Sequence, residues 1–240
     1  MNQSNPLGHS VHEGASPGGA HPHYLDEVEA LNQRLVHMAD QAREHLHLTM
    51  HGLLEADAEL LTAMVGSDEE VNVCQLDVDS RALTLLVRYQ PVATELRRVV
   101  AALRISIDLE RVGDLAVNIA EAARNYITHP PVKEFVDIPR MAAISQEMLS
   151  DAIKSFVSGD LSLARDVLER DDALNDLRTA VFAELLDHMM NDKKTVKPAL
   201  DLLLISRHLE RVGDHATNIA ESVIFIWSAE DVRHHSPARG

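Results

Sequence analysis

One segment of this chain occurs twice. Asp108-Leu-Glu-Arg-Val-Gly-Asp-Leu-Ala-Val-Asn-Ile-Ala-Glu121 returns one hundred residues later as His208-Leu-Glu-Arg-Val-Gly-Asp-His-Ala-Thr-Asn-Ile-Ala-Glu221, with differences only at positions 108/208, 115/215 and 117/217. Self-similarity at that spacing calls for two copies of one structural unit. The residues that repeat include Glu110, Asp114, Asn118 and Glu121, matched by Glu210, Asp214, Asn218 and Glu221. The duplication therefore keeps a column of oxygen-bearing side chains as well as the packing positions.

On a helical wheel of about 100° per residue, Glu110, Asp114, Asn118 and Glu121 fall at roughly 0°, 40°, 80° and 20°. Ile105, Leu109, Val112, Ala116, Ile119 and Ala123 cluster near roughly 220°. The second copy has the same pattern, with Ile205, Leu209, Val212, Ala216, Ile219 and Val223 opposite its acids. The pattern predicts an acidic strip on each helix that faces directly away from the core. Gly113 and Gly213 sit on the flank of the apolar face, where a missing side chain lets a neighbouring helix come close.

The rest of the chain is consistent with helices. Hydrophobic residues make up 45% of the sequence but aromatics only 3%, so the core is built from Leu, Ala, Val and Ile. The apolar runs fall far short of the roughly 20 residues of a membrane span, and the polar N-terminus has no secretory h-region; the chain reads as cytoplasmic. Cys74, the only cysteine, occupies an apolar-face position and reads as an inert core residue. With 38 acidic against 22 basic residues and a net charge of −16, the surface repels phosphate backbones, which argues against nucleic-acid binding and for cations or basic protein surfaces as partners.

Proline, glycine and capping residues divide the chain. Residues 1–23 read as a disordered tail and 230–240 as a C-terminal one. A first three-helix bundle is expected over 24–129, with a helix from Tyr24 to about Leu54, a second capped by Asp57 and running to about Gln90, and a third from about Thr94 to Thr128. A second bundle is expected over 134–229, with helices from about Asp137 to Val157, from an Asp160 cap to about Met190, and from about Val196 to Ser228. The fold class is all-α: two tandem three-helix bundles related by an internal repeat. A further repeat supports the register. Asp57 precedes Asp68 by eleven residues and Asn72 by fifteen, and Asp160 stands in the same relation to Asp171 and Asn175. The second of these strips is less clean, because Leu168 and Phe182 share its side.

The paired Leu-Glu-Arg-Val-Gly-Asp…Asn-Ile-Ala-Glu segments resemble the signature of the PhoU family, phosphate-transport accessory and regulatory proteins of bacteria. The likeness extends over about residues 24–229. It implies two tandem three-helix bundles whose E(D)xxxD motif pairs bind multinuclear metal clusters, iron above all. It also implies restraint of the phosphate-starvation response through the nucleotide-binding subunit of the phosphate-specific ABC transporter and the associated sensor histidine kinase. Carried over to this sequence, one cluster would use Asp68, Glu110 and Asp114, with Asn118 and Asn72 adjoining. The other would use Asp171, Glu210 and Asp214, with Asn218 and Asn175. Asn72 and Asn175 stand where the family pattern has an aspartate, so each site loses a charge and a bridging ligand.

The residues by themselves favour a hard cation, since every candidate ligand is an oxygen; magnesium, manganese and ferric iron suit such a set better than zinc. Carboxylates one turn apart repel each other, and a cation relieves that repulsion. His208, His215 and the pair Met189-Met190 read as structural, the histidines at the surface and the methionines in the core; His9, His12, His21 and His23 read as unstructured filler. Two other function classes stay open. A carboxylate-bridged metalloenzyme would need Glu-x-x-His pairs aimed into a four-helix core, whereas the repeated motifs have the spacing Glu-x-x-x-Asp. A metal-free helical scaffold would bind partners through exposed faces. The expected protein is a non-enzymatic, homodimeric regulator without a membrane span.

Overall fold

A computed structural model describes residues 22–67, 69–133 and 137–228; the expected tails lie outside the described residues except for residues 22 and 23, which open the first helix. The elements are α1 (Pro22–Leu54), α2 (Ala58–Met64), α3 (Glu69–Tyr89), α4 (Ala93–Tyr126), α5 (Asp137–Ser158), α6 (Leu161–Asn191) and α7 (Val196–Ser228), with one 3-10 turn before α7. Among the described residues there is no strand, and no helix is long and apolar enough to cross a membrane. The first bundle is α1, α2–α3 and α4; the second is α5, α6 and α7.

Local chemistry sets several of the helix ends. Asp57 accepts from the backbone N–H of Glu59 and Leu60 at 3.1 and 2.9 Å, and Asp160 accepts from Ser162 and Leu163 at 2.9 and 3.1 Å. Both satisfy orphan donors of a first turn. Gly159 ends α5 with φ +73°, the left-handed conformation glycine tolerates, with the Trp227 ring packed against it.

One expected helix is broken. The segment from Asp57 to Gln90 is α2 and α3, interrupted after Met64 by a turn at 65–66, whereas its counterpart α6 is continuous. The break falls at Gly66-Ser67, where the second copy has Glu169-Arg170. Glycine weakens a helix interior, and the Ser67 hydroxyl donates to the Met64 carbonyl at 2.9 Å, competing with the helical ladder. Asp171 consequently sits inside a regular helix; its counterpart Asp68 lies outside the described residues.

The bundles are joined along α4 and α7, which run antiparallel. Arg97 Nε donates to the Ile226 carbonyl at 3.0 Å, and eleven residues further along each helix Asp108 Oδ1 meets His215 Nδ1 at 2.8 Å. Asn218 Nδ2 donates to the same Asp108 oxygen at 3.1 Å. Ala101, Leu115 and Ala122 share the Asp108 face of α4, and Ser222 shares the His215 face of α7; all four are buried. The same register sets His208 opposite Leu115. The α4–α7 pair thus has a pseudo-twofold axis perpendicular to both helices, and α1 also meets α5.

Asp108 and His215 are each only about 15% exposed, so Asp108→Ala strands an imidazole nitrogen and an amide at the seam. Expected is a loss of about 1–3 kcal/mol in urea denaturation. Asp40→Ala, which removes the exposed ion pair with Arg43, is expected to change little.

Candidate metal centre

The first motif lies at the rim of its bundle. Glu110 is 18% exposed and Asp114 34%, and Arg111 of the same motif reaches both, at 3.4 and 3.2 Å. Asn118 is exposed and Asn72 half-buried on α3. Across the α3–α4 contact, Val71 packs where a side chain on Gly113 would begin, 3.3 Å from the position of its Cβ.

The second motif is more deeply set. Asp171 on α6 accepts from Asn175 Nδ2 at 2.9 Å through one carboxylate oxygen, and its other oxygen, Oδ1, is buried without a partner. That oxygen lies 3.8 Å from where a Gly213 Cβ would stand, so Gly213 admits Asp171 to the surface of α7. Glu210 is 21% exposed and pairs with Arg178 Nε at 2.9 Å. Burial pushes the carboxyls of Asp171, Glu210 and Asp214 above their usual range, and the negative charge of Asp214 raises the other two further. A buried, unpartnered carboxylate oxygen beside two more acids is an environment that a hard cation satisfies. Asp171, Glu210 and Asp214 would hold it here, and Glu110 and Asp114 in the first copy. Among the described residues, however, no three Asp, Glu, His or Cys side chains already stand in an arrangement that closes around an ion.

Several sequence expectations need correction. The strips do not face directly away from the core, because α4 and α7 are packed on more than one side and Glu110 and Glu210 are mostly covered. Asn218 serves the seam instead, donating to Asp108. His215 is no surface residue but the partner of Asp108. His208 is half-buried with Nδ1 unpartnered, and burial lowers its pKa. Met190 is 77% exposed, not core. Arg178 joins the second site from α6. Its only sequence signal was its place one turn beyond Asn175, where the first copy has Gln75. Cys74 is buried as expected, its thiol held to Gln41 Oε1 at 3.1 Å and pushed up in pKa by burial.

Two tandem three-helix bundles, each with an acidic Glu-x-x-x-Asp motif on its last helix, define a duplicated helical protein with paired anionic motifs. Residues 35–123 and 138–223 match the PhoU domain. The chain belongs to the PhoU family. A relative from Caulobacter vibrioides (strain NA1000 / CB15N), named a phosphate-specific transport system accessory protein PhoU homolog, is 34% identical over 215 residues, covering 89% of this chain and 94% of its own. One of the same name from Aquifex aeolicus is 34% identical over 208 residues, covering 87% and 94%. The crystal structure of PhoU from Pseudomonas aeruginosa superposes with a TM-score of 0.82 at 28% identity, covering 86% of this chain and all of that one. A Streptococcus pneumoniae PhoU structure, at 24% identity and a TM-score of 0.79, shares the fold.

Proposed function

We propose that this protein is a cytoplasmic, non-enzymatic accessory regulator of phosphate transport that restrains phosphate uptake and phosphate-starvation signalling through protein contact. Its partners are the nucleotide-binding subunit of the phosphate-specific ABC transporter and the phosphate-sensing histidine kinase, and it works as a homodimer. Relatives covering almost the whole chain carry the accessory-protein name, and this supports the regulatory reading. The acidic motifs hold metal ions, iron first, with manganese, magnesium or zinc as alternatives. The observation that carries the metal reading is the buried, unpartnered Asp171 oxygen beside Glu210 and Asp214. Metal there neutralises a site whose carboxylates otherwise repel, and it stiffens the α6–α7 contact on the face that meets partners.

Deleting the gene is expected to switch on phosphate-starvation genes in phosphate-rich medium, measured by transcript level. Unchanged transcripts in the deletion strain would sink the regulatory reading. Elemental analysis of protein purified without chelators separates a metal-binding regulator from a metal-free scaffold, and an oxygen-activation assay on iron-loaded protein separates both from a carboxylate-bridged metalloenzyme.

A further inference from the structure

The second bundle carries an open groove lined in part by apolar side chains. It lies between α6 and α7 with a volume of about 660 Å³, floored by Phe182, Leu200, Leu203 and Leu204 and flanked by Arg178 and Arg207. Phe182, Leu200 and Leu204 are each nearly half exposed, an unusual cost for large apolar side chains gathered in one place. The groove runs from Glu210 back to Leu200, a helix length of ~15 Å, and so adjoins the second acidic motif through Glu210.

The repeat shows that the groove is not a by-product of the duplicated fold. In the first copy the place of Phe182 is taken by Asp79, which accepts from the Ser106 hydroxyl, and the place of Arg178 by Gln75. Leu204 corresponds to Arg104, and Arg207 to Ile107. Apolar floor and arginine flanks therefore occur together only in the second copy.

We propose that the α6–α7 groove is the docking site for an acidic amphipathic helix of a partner protein, with Arg178 exchanging Glu210 for a carboxylate of that helix. Concave apolar floors of this kind take the apolar face of a helix through anchors at i, i+3 or i+4, and i+7, and about 15 Å accommodates some three turns. Charge complementarity selects the acidic version. On a chain of net charge −16, this floor is bordered by two guanidiniums against one carboxylate, Glu210, and that carboxylate is already paired with Arg178 at 2.9 Å. Arg207 has no ion pair among the described residues. The same net charge opposes an anionic lipid surface as the occupant. The exchange, which rests on the metal reading above, couples the two sites: a cation that takes over Glu210 releases Arg178 to the partner, and by linkage the partner strengthens the cation site.

The test uses the full chain in EDTA and two fluorescein-labelled 14-residue helical peptides. Both carry leucines at i, i+3, i+7 and i+10; one has two glutamates on the flank, the other two lysines. By fluorescence anisotropy the glutamate peptide is expected to bind at least ten-fold more tightly than the lysine peptide. Phe182→Ala and Arg207→Glu, both at exposed positions, are each expected to weaken it at least ten-fold while leaving the melting temperature unchanged. Equal binding of the two peptides, or binding indifferent to Phe182→Ala, overturns the docking site. So does a dimer that Leu204→Asp converts to monomer in sedimentation, which would make a second copy the occupant, and so does co-sedimentation with phosphatidylglycerol vesicles in the absence of peptide binding. A repeat with manganese, whose binding is followed separately by calorimetry, tests the exchange. Manganese that binds without tightening the glutamate peptide overturns the exchange alone, and failure of manganese to bind counts against the metal reading and leaves the docking result standing.

Discussion

A chain carrying Glu110→Gln, Asp114→Asn, Glu210→Gln and Asp214→Asn together is expected to hold no metal, while either pair alone lowers bound metal by about half, because each motif anchors its own site. Elemental analysis after loading with iron or manganese measures this, and the melting point raised by added metal should shrink in step. The apo proteins should separate the two sites further. In the first motif the carboxylates are bridged by Arg111, and neutralising them removes surface ion pairs of little value. In the second, burial raises the folded-state pKa of Asp171, Glu210 and Asp214, so the charged forms are disfavoured by folding. Stability associated with such groups is fully present below the unfolded carboxyl pKa of about 4 and is lost as the pH rises through the elevated folded value. Asp171→Asn should therefore raise the apo melting temperature at pH 7, and that gain should vanish near pH 4. A gain that persists unchanged at pH 4 would show that charge is not its source.

Gly213→Ala is expected to be the most damaging single-methyl change in the motifs. A Cβ there would stand 2.4 Å from Leu174 Cδ2, and Leu174 is fully buried in the core. Overpacking of this kind costs about 1–3 kcal/mol, which for a chain of this size lowers the melting temperature by roughly 2–4 °C per kcal/mol. Gly113→Ala meets Val71 Cγ1 at 3.3 Å, a contact that a small shift relieves, and should be much milder. Since the Asp171 carboxylate lies beside Gly213, the alanine is also expected to weaken metal binding at the second site selectively, which titration calorimetry would register. Equal melting points for the two alanine proteins would mean that α6 and α7 are less tightly apposed than described.

What could be read in the sequence was what neighbouring residues decide among themselves. Asp57 and Asp160 announce helix starts because their side chains satisfy backbone donors two and three residues on. Gly66-Ser67 signalled a break that an uninterrupted apolar pattern concealed. The acidic column of the motifs was legible because it repeats at one turn of a helix, but its depth was not. Depth depends on how many helices surround α4 and α7, and a wheel drawn for one packed face cannot report a second. Arg178 reaches Glu210 from another helix, and Asp108 meets His215 from another bundle, so neither contact leaves a trace within a single periodic segment.

The seam between α4 and α7 also acts as an address. Two of the three positions at which the repeated segments differ, 108/208 and 115/215, are the ones that face each other across the pseudo-twofold axis. With the present residues, a first half that meets a second half matches Asp108 to His215 and Asn218. Two first halves brought together in the same register would set Asp108 against Leu115, leaving it the Asn118 amide but no imidazole, and two second halves would set His208 against His215 with no carboxylate between them. Both like-with-like pairings lose the carboxylate–imidazole contact that the mixed pairing makes. Divergence at these two positions makes each half select its opposite within the same chain over a duplicate of itself in another, and so guards a duplicated molecule against exchanging halves with its neighbours.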